Sequence, residues 1–112
     1  MIRILNDFEH NFIKFLNGKH LTDKEVKLSI LHNYDCVNGG DDTGFAVYIP
    51  HLKTIMLPTE VPEEVKDMKE FIIYNLAHEY KHFLQDVNSE EFDEDEANKF
   101  ADEIVCEYMN TI

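Results

Sequence analysis

The spacing of apolar residues changes period along the chain and divides it into helix, strand and helix again. Leu5, Phe8, Phe12 and Leu16 recur at helical spacing, widened by Ile4, Ile13 and Phe15, and predict a first helix over residues 2–16. Asn17-Gly18 supplies a helix stop, and His10 and His20 flank the polar side, where exposure is expected. Residues 26–34 alternate, with Val26, Leu28 and Ile30 on one face, as a half-buried strand does. The stretch Asn38 to Gly44 is dense in turn residues and reads as a hairpin turn; Asp41 and Asp42 lack the spacing of a calcium loop. Gly44–Pro50 and Lys53–Pro58 read as a second and a third strand with His51-Leu52 at the turn, each closed by a proline that cannot donate to a ladder. Three strands with short links imply a small, mainly antiparallel sheet.

From Pro62 the pattern returns to helix. Proline in the first turn, with Glu63 and Glu64 at the positive end of the dipole, favours a start there, and the apolar run carries on to about Val87. Asn88-Ser89 opens a linker. Asp93, with Glu96 three residues on, resembles a capping box and predicts a last helix bearing Ala97, Phe100, Ala101, Ile104, Val105 and Tyr108. The expectation is one α+β domain over residues 1–112: an N-terminal helix, a three-stranded sheet, and two C-terminal helices.

Charge narrows the class of partner. Ten Lys+Arg against 23 Asp+Glu leave a formal charge of −13, which disfavours nucleic-acid phosphate and anionic membrane surfaces. A basic protein partner, or a DNA-mimicking inhibitor, stays open. No apolar run is long enough to span a membrane, and the first residues lack a signal-peptide core, so a cytoplasmic protein is expected. Cys36 and Cys106 form no C-x-x-C pair, and reduced thiols are the default.

The candidate chemistry lies in His78-Glu79-Tyr80-Lys81-His82, an H-E-x-x-H inside the apolar helix. Residues four apart on a helix point about 40° from one another, so two imidazoles at that spacing can hold one ion from one face. Glu79 lies between them in angle, where it can polarise a bound water without being a ligand. A third ligand must face inward from the last helix. Glu94 shares its face with Ala97, Ala101, Val105 and Tyr108, whereas Glu96 shares one with Glu103 and Glu107, and Asp95 one with Lys99 and Asp102. Glu94 is therefore favoured. Asn98, one turn on, is placed to hydrogen-bond a ligating imidazole, with Asp102 as an alternative for that role.

His78-Glu79-Tyr80-Lys81-His82 followed by Glu94-Asp95-Glu96-Ala97-Asn98 resembles the gluzincin pattern H-E-x-x-H then E-x-x-A-(D/N). The short chain and its element order resemble the minigluzincins, single-domain metallopeptidases, and Glu96 to Ala101 is also similar to the ImmA/IrrE-type peptidases. The resemblance implies a zincin core and a zinc-dependent endopeptidase: His78, His82 and Glu94 on one zinc ion, and Glu79 as general base. It implies a peptide or unfolded protein as substrate, held extended along an edge strand, for which Gly44, Phe45, Ala46 and Val47, on to Ile49, are the candidates. Tyr108 and Tyr48 are the candidate oxyanion donors. The enzyme may be read as active or as latent, with the end Met109–Ile112 or a second copy in the cleft. The alternatives are a catalytically silent zinc-binding module and the acidic inhibitor or DNA mimic.

Overall fold

Three helices, a three-stranded sheet, a separate two-stranded pair and one 3-10 turn make up the described part of a computed structural model, residues 2–3, 6–31, 46–58, 60–61 and 68–110. Helix α1 runs Asn6–Gly18 and buries Phe12, Ile13 and Leu16, with Phe8 and Phe15 partly covered. The helix expected from residue 2 starts later. Ile2–Arg3 form a short strand, β1, whose partner (Ile2↔Val61) lies far off in sequence, where a local period does not register it. Past the Gly18 end, the Asn17 side chain closes on one residue: its Nδ2 donates to Val26 O at 3.3 Å and its Oδ1 accepts from Val26 N at 3.3 Å. An amide side chain thus imitates a strand neighbour and sets the entry to β2.

The sheet corrects the expected antiparallel arrangement. It comprises β2 (Lys27–Leu31), β3 (Val47–Ile49) and β4 (Thr54–Pro58), in the order β2-β4-β3. β4 pairs antiparallel with β3 (Tyr48↔Ile55) and parallel with β2 (Leu28↔Ile55), so the sheet is mixed. The β3–β4 link explains the first pairing. Pro50–Leu52 make one 3-10 turn, and Lys53, at φ 50° and ψ 44°, reverses the chain in the left-handed region. β4 takes the centre of the described sheet, with Ile55 and Leu57 fully buried. β5 is Glu60–Val61, the partner of β1. Residues 32–45, including Gly44 and Phe45 of the expected substrate strand, and residues 62–67 at the expected helix start lie outside the described part.

Helix α2, Met68–Val87, carries apolar residues on the faces that the rest of the fold covers. Ile72, Ile73, Leu76, Ala77, Tyr80, Phe83 and Leu84 are buried against the sheet, α1 and α3. Tyr80 stacks on Phe100 at 6.1 Å and meets Phe83 at 5.4 Å; burial pushes its hydroxyl up to about 12. Helix α3, Glu94–Met109, lies on α2 through Ala97, Ala101, Ile104 and Val105. The alanines are fully buried, and with one carbon of side chain they let the two backbones approach. No described helix is long and apolar enough to cross a membrane.

One carboxylate fastens the β3–β4 hairpin to α2. Asp86 Oδ2 accepts from the Tyr48 hydroxyl and from Lys53 Nζ, each at 2.7 Å. These hydrogen bonds, Lys53 first, hold the Asp86 carboxyl below its ordinary value. A depressed carboxyl stabilises the fold above its unfolded pKa of about 3.9, and that contribution disappears as pH falls through the folded value. Asp86→Asn should therefore be destabilised relative to wild type in urea at about pH 7, with the gap narrowing as the pH falls below 3.8. A gap that stays constant across that range would contradict the assignment.

Candidate metal centre

Helix α2 carries His78, Glu79 and His82, and the first residue of α3 is Glu94. What brings Glu94 to the histidines is the start of α3. Asp93 caps it, its Oδ1 accepting from Glu96 N at 3.1 Å. The expected reciprocal half of the capping box is replaced. Asp93 N donates to Gln85 Oε1 at 3.3 Å, and Glu96 Oε1 takes Gln85 Nε2 and Lys81 Nζ, each at 3.2 Å. The first turn of α3 is thus tied to α2 by a side chain of α2 that is 1 % exposed.

Three acceptor atoms converge as a result. His78 Nε2 and His82 Nε2 are 3.2 Å apart, and Glu94 Oε2 lies 2.8 Å from the first and 3.0 Å from the second. Tetrahedral ligands at zinc distances of roughly 2.0–2.1 Å stand about 3.3–3.4 Å from one another, so the described spacing is close to that of a coordination shell. Glu79 sits just outside this ring. Its Oε2 is 3.7 Å from His78 Nε2, and its Oε1 accepts from Tyr48 N at 2.8 Å. His78, Glu79 and His82 also form a cluster able to hold an ion, with ligand atoms within 4.8 Å. Glu94 is nearer to both imidazoles than that limit, and the Tyr48 bond already engages Glu79. The tighter set is therefore His78, His82 and Glu94. It opens outward, since the Glu94 side chain is 71 % exposed while that of His82 is 5 % exposed.

The imidazole protons follow from the partners. Gln85 Nε2 faces Asp93 O at 3.4 Å and the Glu96 carboxylate, while Gln85 Oε1 faces an N–H. Carbonyls and carboxylates only accept and an N–H only donates, which fixes the amide orientation. Gln85 Oε1 then also faces His82 Nδ1, at 2.9 Å, so Nδ1 must be the donor. Asn98 Oδ1, which accepts from the Tyr74 hydroxyl at 3.2 Å, lies 2.9 Å from His78 Nδ1, which makes that nitrogen the donor of the pair. Two neutral rings held this way turn both Nε2 lone pairs onto a carboxylate oxygen. In that tautomer the two Nε2 atoms and Glu94 Oε2 form a set of three acceptors facing one another, the arrangement that one cation needs.

The two carboxyls are shifted in opposite directions. Burial pushes Glu79 up, against the pull of His82, His78 and the Tyr48 N–H. Partial burial also pushes Glu94 up, but the His82 and His78 rings, in their protonated form, outweigh it with hydrogen bonds and charge and leave it below its ordinary value.

Other residues singled out from the sequence fall elsewhere. Asp102 is exposed; its charge acts on the Tyr74 hydroxyl, which burial first and Asp102 second hold up. Tyr108, expected as an oxyanion donor, is corrected: it is buried with α1, 4.9 Å from Phe12 and 4.8 Å from Phe15, about 21 Å along α3 from Glu94. The Tyr48 hydroxyl is engaged by Asp86. Of the expected substrate strand, Ala46 to Ile49 are described and lie on the sheet's edge. Two neighbours of the cluster escaped the sequence reading. Gln85 was visible only as a polar residue inside an apolar helical run. Phe92, a single aromatic in the acidic linker, stacks on the His82 ring at 4.7 Å while half exposed.

No family model, curated protein or solved structure matches the chain.

In metal-free protein at about pH 8, long-range nitrogen–proton correlation should find both imidazoles protonated at Nδ1 and bare at Nε2. Gln85→Ala should abolish that preference at His82 and destabilise the fold by about 1–3 kcal/mol, since it strips partners from a buried ring and from the Asp93 N–H. An Nε2-protonated His82 in the wild type would refute the assignment.

Proposed function

We propose that the chain is a zinc-dependent peptidase built on a gluzincin-type core. The observation that carries the reading is the ring of His78 Nε2, His82 Nε2 and Glu94 Oε2, three acceptors within 2.8–3.2 Å of one another, with both Nδ1 atoms held by amide oxygens. Two imidazoles and one carboxylate are a donor set that suits a catalytic zinc ion, and three protein ligands leave a fourth position for water or substrate. Zinc in this ring supplies an acidified water and a Lewis acid for the scissile carbonyl.

The chain's own groups do the remaining work. Asn98 and Gln85 hold the two rings in the ligating tautomer. Glu79, beside the ring and outside it, receives a proton from the attacking water and delivers it to the departing amine nitrogen. β3 has an outer edge with no described strand beyond it, which supports binding of an extended peptide along Ala46 to Ile49. The substrate class is accordingly a peptide or an unfolded protein. The −13 charge argues against nucleic acid or an anionic membrane as partner.

A purely structural zinc site would close its fourth position with Cys or His. Cys106, the described cysteine, is exposed and about 18 Å along α3 from Glu94. A carboxylate held beside the ring and outside it is also surplus to a silent module.

Casein digestion by zinc-loaded protein decides the matter. Wild type should cleave, and Glu79→Ala at equal zinc content should be slower by at least about a hundredfold. No cleavage by wild type, or equal rates in the two, would refute the peptidase reading.

A further inference from the structure

We propose that Asp86 is a positioning residue for Glu79, acting through Tyr48. Glu79 and Asp86 are two helical turns apart, about 10.5 Å along α2 and on nearly the same face. Tyr48 lies along that face and touches both carboxylates. Its backbone N–H donates to Glu79 Oε1 at 2.8 Å, and its hydroxyl donates to Asp86 Oδ2 at 2.7 Å. Between the two contacts the ring packs edge-on against Phe83 at 5.8 Å, and the residue is 4 % exposed. A phenol fixed at its tip and along its ring fixes its own Cα, so the N–H reaches Glu79 in one orientation. Lys53 adds a second hold on the same Asp86 oxygen and donates to Pro50 O at 2.9 Å, which stiffens the reversed end of the hairpin.

The consequence falls on Glu79. Held by one oxygen, its carboxylate stays off the ring of ligand atoms, with Oε2 3.7 Å from His78 Nε2. Without the hold it is free to swing in and occupy the position that water needs. Asp86 thus separates a base from a ligand. Asp86 is also the last of three residues spaced by four on α2, with His78 and His82, so one helical face carries both the ligands and the anchor.

The rate effect rests on the peptidase reading; the placement of Tyr48 does not, and the test reads them separately. In the zinc-loaded protein, Asp86→Ala and Tyr48→Phe should each lower kcat about tenfold with KM within about twofold and zinc stoichiometry unchanged. The double variant should be no slower than the worse single one. Asp86→Asn, which keeps an oxygen for the Tyr48 hydroxyl, should recover most of the rate. Ile13→Ala, a destabilising truncation in α1, should lower Tm and leave kcat alone. In the same samples, hydrogen exchange of the Tyr48 amide should quicken at least about tenfold in Asp86→Ala beyond any change in Ile13→Ala. A Tyr48 amide equally protected in Asp86→Ala and Ile13→Ala overturns the proposal, whether or not any peptide is cut. An inert wild type whose Tyr48 amide behaves as expected overturns only the peptidase reading and leaves Asp86 as the anchor of Glu79.

Discussion

The arrangement turns on three atoms gathered at one place: His78 Nε2, His82 Nε2 and Glu94 Oε2 lie about 3 Å from one another. Much of the surrounding structure serves to keep them there. Ala97 and Ala101 let α3 approach α2, so that Glu94 at its first position reaches both rings. Gln85 joins the helices at the same level and sets one ring's proton, while Asn98, one turn past Glu94, sets the other. The three atoms so gathered form a donor set that a cation of suitable size would satisfy.

The sheet contributes from the other side. Among the described strands β3 forms the edge beside the central β4, and it delivers Tyr48 to α2. Glu79 is therefore contacted by a strand on one flank and by a ligand ring on the other. The burial that makes its charged form costly comes from the same packing.

What could be read from the sequence was whatever has a local period. Helical spacing located α1, α2 and α3, and the small face of α3 already placed Glu94 and Asn98 together on the side that meets α2. Pairing between distant segments has no such signature. The insertion of β4 between β2 and β3, and the short β1–β5 pair, depend on which strand is best covered by the helices, and alternation within a strand does not encode that. Tyr108 shows the limit of face arguments. It shares a helical face with Glu94, but a helix of 16 residues carries one face past several neighbours, and its far end meets the phenylalanines of α1. Gln85 was hidden because a polar residue in an apolar run has no sequence cue to its partner.

The central claim is that His78, His82 and Glu94 together hold one zinc ion with a position left open. Zinc-edge X-ray absorption of the loaded protein tests it directly. The account predicts one ion per chain with two imidazole nitrogens and two oxygens at about 2.0–2.1 Å, one oxygen being lost as a ligand when Glu94 is replaced by alanine. A sulfur neighbour at about 2.3 Å, or a shell unchanged by Glu94→Ala, would contradict it.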